Sequence, residues 1–88
     1  MLRNSEITAA TTVFMNGTAF VEIIARNRYK GKEVKSEALL SIEETEKLVR
    51  MLDANSVEDL KKRALRLEIV DDEVVSLHHV VDDSVIKL

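Results

Sequence analysis

An α+β fold with mainly antiparallel pairing, in the order βββααββ, is predicted from three features of the sequence. Asn16-Gly17 separates two segments rich in β-branched and aromatic residues. Ser41 and Glu44 have capping-box spacing at the head of an amphipathic stretch. Leu65, Leu67 and Ile69 alternate with Arg66 and Glu68. Strands grouped around a central helical pair give an antiparallel β-meander, two central helices and a C-terminal β-hairpin.

The meander begins with strands over residues 6–15 and 18–28. Asn and Gly tolerate the positive φ values of a two-residue type I′ turn, so Asn16-Gly17 fixes the register. Met15 is then expected opposite Thr18, Val13 opposite Phe20, Thr11 opposite Glu22 and Ala9 opposite Ile24. The other face pairs Phe14 with Ala19, Thr12 with Val21 and Ala10 with Ile23. Residues 33–40 read as a third strand, entered through a turn at Gly31. Residues 1–5 read as a loose end.

Residues 42–54 read as a helix. Ile42, Thr45, Leu48, Val49 and Leu52 form one stripe, and Glu43–Lys47 and Glu46–Arg50 are favourable i,i+4 pairs. Asn55 suits a left-handed C-terminal position. Ser56 and Asp59 then suggest a second, shorter helix over 57–63. A turn at Asp71-Asp72-Glu73 joins the last two strands. A three-residue loop there sets Leu67 against Leu77 and Ile69 against Val75. Residues 85–88 leave room for one further short strand.

The composition bounds the class. Eighty-eight residues make one domain, and 45% apolar with 33% charged residues is the balance of a folded chain. Cysteine is absent, which excludes disulfides and thiol chemistry. No apolar run is long enough for a transmembrane helix, and residues 1–5 lack the apolar centre of a secretory signal, so a cytoplasmic location is expected. The net charge of −3 argues against non-specific coating of nucleic acid. The lack of Gln, Cys and Trp beside abundant Glu, Lys and Arg points towards a thermophilic source. The lack of Pro points the other way.

Catalytic signatures do not stand out. The only glycines are Gly17 and Gly31, so no Gly-rich phosphate loop can form, and no Ser, His and carboxylate arrangement is singled out by spacing. His78-His79 and Asp82-Asp83 are metal-ligand types. Adjacent histidines on a strand point to opposite faces, however, and neither acidic run has the alternating ligands of a calcium loop. No cofactor, metal site or enzymatic activity is expected.

Two surfaces carry functional expectations. The segment around residues 26–35 is basic. Arg26, Arg28, Lys30 and Lys32 could meet phosphates, and Tyr29 could stack on a base. Nucleic-acid binding is therefore the alternative reading. The leading reading comes from the ribbon of residues 6–15 and 18–28, which is apolar on both faces. One face supplies the core through Ala19, Val21, Ile23 and Ala25. The other is expected to hold Ile7, Val13, Met15, Phe20 and Ile24. That surplus apolar face needs a cover, either the C-terminal hairpin or a second copy. The function expected is a non-enzymatic, homodimeric protein-interaction or regulatory module.

Overall fold

A computed structural model describes residues 2–88. The chain forms β1 (Leu2–Met15), β2 (Thr18–Tyr29), β3 (Lys32–Ser41), α1 (Ile42–Met51), β4 (Ala64–Val70), β5 (Glu73–His78) and β6 (Val85–Lys87). All strands belong to one antiparallel sheet in the order β3-β2-β1-β4-β5-β6. The sheet curls round its apolar contents, bringing β3 towards β5, and α1 lies on the concave side against β2, β3 and β6.

Asn16 (φ 52°) and Gly17 (φ 77°) are both left-handed, as a two-residue type I′ turn requires. The seven β1–β2 pairs from Met15–Thr18 to Ala9–Ile24 follow the sequence register. That register breaks at Thr8, an extra residue between Ile7, opposite Ala25, and Ala9, opposite Ile24. The bulge reverses the sidedness of everything before it. Ile7 therefore turns into the core, where it is fully buried, instead of joining Val13 on the opposite face. Leu2–Ser5, expected to be loose, pair with β4 across Glu68 to Leu65. Met1 lies outside the described residues.

Helix α1 starts on the expected capping box. Glu44 N–H donates to Ser41 Oγ at 3.1 Å, and Ser41 N–H donates to Glu44 Oε1 at 2.8 Å. It stops at Met51, earlier than residue 54. The left-handed position falls on Asp53 (φ 54°), not Asn55. Ala54 N–H then reaches Val49 O at 2.9 Å, and Asp53 N–H reaches Arg50 O at 3.2 Å, a Schellman closure.

The expected second helix is absent, so the described residues form a six-stranded antiparallel sheet with a single α-helix rather than βββααββ with two central helices. Residues Glu58–Leu60 make one 3-10 turn. The capping signal is real, since Asp59 N–H donates to Ser56 Oγ at 3.3 Å. Propagation fails because the following backbone is claimed by β1. Lys62 N–H donates to Ile7 O at 2.7 Å, and Ile7 N–H donates to Arg63 O at 2.9 Å. One turn is also too short to offset the cost of helix nucleation.

At the β4–β5 tip the turn is two residues, not three. Asp71 (φ 51°) and Asp72 (φ 65°) form it, and Ile69 faces Val74 rather than Val75. A bulge at Val75 then restores Leu67 opposite Leu77. Strand β6 supplies the further short strand.

The core lies between the concave face and α1. Its members are Ile7, Val21, Ile23, Ala25, Ala38, Leu40, Leu48, Leu52, Leu60, Leu65, Leu67, Ile69, Leu77 and Ile86. At about 25 cal/mol per Å² of apolar area, each large member contributes roughly 1.5–3 kcal/mol. No helix among the described residues is long and apolar enough to cross a membrane.

Candidate functional site

The C-terminal strands extend the sheet sideways from β1 and do not fold over its convex face. The surplus apolar face is therefore left to solvent. Past the Thr8 bulge, Val13 and Met15 of β1 share that face with Phe20 and Ile24 of β2. Val13, Phe20 and Ile24 are half-buried, and Met15 is 46% exposed. Ile7 does not take part, for the reason given above.

A member of this patch was missed by sequence reasoning. Leu39 stands opposite Glu22 and is 42% exposed. The signal was present: Lys30 and Gly31 form a second two-residue turn with positive φ, and counting from the Tyr29–Lys32 pair places Leu39 there. A second missed signal is electrostatic. From Ile7 to Val21 the sequence has no charged residue, in a chain that is 33% charged.

The β1 part of that uncharged segment also has a neighbouring strand on one side only. Strand β4 covers β1 only from Leu2 to Glu6, and the Ile7 backbone is closed by Lys62 and Arg63. Beyond this point β1 pairs only with β2, so Thr8–Met15 present an open edge. The edge has none of the usual protection from Lys or Pro. On the concave side of the same arm, Thr12, Val21, Ile42, Val49 and Val57, together with the charged Glu46 and Arg50 and others, line a groove of about 370 Å³. Phe14, which also projects to that side, is 75% exposed.

The basic segment is divided by the fold. Arg26 and Arg28 project to the convex face. Arg26 is ion-paired with Glu6 at 2.7 Å, and Arg28 stands opposite Glu33. Tyr29 and Lys32 pair at the end of the ribbon and project to the concave side. The Tyr29 ring is occupied on one face by the Arg3 guanidinium, 3.9 Å from its centroid, with Lys30 Nζ at 5.2 Å. Two further basic side chains near the start of β4 are also engaged. Arg63 pairs with Asp59 at 2.8 Å, and Arg66 Nε donates to Asn4 Oδ1 at 3.1 Å.

The histidines belong to hydrogen-bonded structure. His79 Nδ1 accepts from the N–H groups of Val81 (3.0 Å) and Asp82 (3.1 Å). Asp82 Oδ1 accepts from Ser84 N–H at 2.8 Å. Hydrogen bonding from Ser84 holds the Asp82 carboxyl below its ordinary pKa. These bonds close the 79–84 loop. His78 stands opposite Arg66 and joins Ser76 and Glu68 in a short chain. Ser76 is only 2% exposed, so its hydroxyl is out of reach of a substrate. Among the described residues no three His, Cys, Asp or Glu side chains gather as a metal site.

A second groove, at the open mouth between β3 and the β4–β5 turn, is lined by Arg3, Tyr29, Lys35, Ser36, Asp72 and Glu73, among others. Below it Asn27 Nδ2 donates to Ser36 Oγ at 3.1 Å, while Asn27 Oδ1 and Arg3 Nε are buried without partners among the described residues.

Comparison of the chain with protein-family models, with curated proteins and with solved structures finds no match.

Proposed function

We propose that this protein is a non-enzymatic interaction module that works as a homodimer joined through the β1–β2 arm. The observation that carries this reading is the uncharged segment Ile7–Val21, held out as a ribbon with an open edge and an apolar convex face. In a monomer such an edge is a template for uncontrolled strand pairing. A specific partner removes that hazard and takes apolar side chains of the arm out of water. A second copy suits the surface because it is as free of charge as the arm it meets. A two-fold contact sets like residues near one another, and here no like charges are opposed along the arm.

The alternative, nucleic-acid binding by Arg26, Arg28, Tyr29, Lys30 and Lys32, has weaker support. Its cations lie on two faces, one is ion-paired, and its aromatic ring is already stacked.

Sedimentation velocity over a concentration series tests the reading. The expected result is a dimer at micromolar concentration that Phe14→Glu with Met15→Glu converts to monomer. A chain that stays monomeric at high micromolar concentration overturns it.

A further inference from the structure

We propose that two copies pair β1 with β1 antiparallel about a two-fold axis at Val13, each seating its Phe14 in the other's groove between the arm and α1. This rests on the homodimer reading and names how the two copies meet.

The register follows from which backbone groups are free. Met15 and Thr18 flank a two-residue type I′ turn, so they bond each other. Alternation along an antiparallel ladder then points the N–H and C=O groups of Val13, Thr11 and Ala9 at β2. Those of Ala10, Thr12 and Phe14 point outward. A second copy can extend the ladder only by setting outward-bonding residues against one another.

Five pairings place the axis within the arm, and the two that set Ala10 opposite Ala10 or Thr12 run the partner's turn into β4, which already pairs with Leu2–Glu6. Thr12 opposite Thr12 carries the partner's Asn16-Gly17 turn to Thr8 and Ile7, where Lys62 and Arg63 already stand. Phe14 opposite Phe14 leaves little more than the strand ends and the turns in contact. Thr12 opposite Phe14 engages Thr11–Met15 of both copies and meets no other segment. In this register Val13 faces Val13, and Met15 faces Thr11, on the convex side.

The same register satisfies two features that are otherwise unconnected. Residues of even number in the arm project to the concave side, as Thr12 does opposite Val21. The partner's Phe14, set beside Thr12, projects there too. It arrives at the apolar groove lined by Thr12, Val21, Ile42, Val49 and Val57. At about 370 Å³ the groove has ample room for one aromatic ring. The 75% exposure of Phe14 and the open groove are thus two halves of one contact, made twice by symmetry.

The chain contains no cysteine, which makes a single-cysteine scan clean. Val13–Val13 is a non-hydrogen-bonded pair, with Cα atoms about 4.5 Å apart, inside the disulfide range. Under mild oxidation Val13→Cys is expected to form a covalent dimer faster than Thr11→Cys, Thr12→Cys or Phe20→Cys. Phe14→Ala is expected to weaken the dimer about tenfold or more, as loss of a seated aromatic does. Phe14→Leu should weaken it less. A dimer that cross-links best through Phe20→Cys and ignores Phe14→Ala overturns this pairing while leaving the homodimer standing. A monomer at every concentration overturns both.

Discussion

The hydroxyl of Ser76 lies 2.7 Å from Glu68 Oε1 across the β4–β5 ladder, and the same oxygen lies 2.7 Å from His78 Nε2. A hydroxyl has one proton. An ionised carboxylate can only accept, so Ser76 donates to Glu68 and must accept from the ring. His78 is therefore expected in the tautomer with the proton on Nε2, which ¹⁵N chemical shifts report directly. Ser76→Ala removes the bridge while the site stays covered. A loss of about 1–2 kcal/mol of folding stability is expected, read from urea unfolding. A neutral result would mean that water replaces the hydroxyl.

Ile7 and Val13 were indistinguishable as sequence positions, and they should differ sharply in their effects. Ile7 is fully buried against the core, whereas Val13 lies on the convex face. In a background made monomeric by Phe14→Glu and Met15→Glu, Ile7→Ala is expected to cost about 2–4 kcal/mol. Val13→Ala there should cost less than about 1 kcal/mol, since little packing is removed from an open face. Equal costs would show that the bulge at Thr8 is not where the structure has it.

These residues show what was legible in the sequence. Asn16-Gly17 dictated the hairpin register because a left-handed two-residue turn leaves no freedom in the pairing beside it. The register was lost at Thr8 because a bulge adds one residue with no compositional mark, and Thr8-Ala9-Ala10 suits either face. Ser56 and Asp59 gave an honest start signal for a helix. Its continuation was decided by Ile7, far away in sequence, which drew off Lys62 and Arg63. The open edge of β1 was equally illegible, since it depends on how far β4 reaches. Leu39, by contrast, needed only the second turn and a count.

The capping box at α1 offers a local test that no association should disturb. Ser41 and Glu44 exchange two hydrogen bonds, and Thr45 Oγ1 also donates to Ser41 O at 2.7 Å. Ser41→Ala removes only the side-chain acceptor for Glu44 N–H. A destabilisation of about 1 kcal/mol is expected in chemical unfolding. Ser41→Asp retains an acceptor and adds a charge favourable to the helix N-terminus, so it should recover most of that loss.

Asp59 ties the loop after α1 to the start of β4. Its Oδ2 accepts from Asn55 N–H at 2.9 Å and from Arg63 Nη2 at 2.8 Å. The Asn55 backbone bond, followed by the Arg63 side-chain bond, holds its carboxyl below the ordinary 3.8. A depressed folded pKa means that the stabilisation is fully present above the unfolded value. It fades as pH falls from about 3.8 through the lower folded value. Local loosening of residues 55–63 is therefore expected only in that acid window, seen as faster amide exchange at Asn55. Arg63→Gln should raise the Asp59 midpoint, followed by carboxyl ¹³C shift, yet leave it under 3.8, because the larger Asn55 contribution survives. A midpoint that returns fully to the ordinary value in Arg63→Gln would mean that the guanidinium, not the backbone amide, holds the loop.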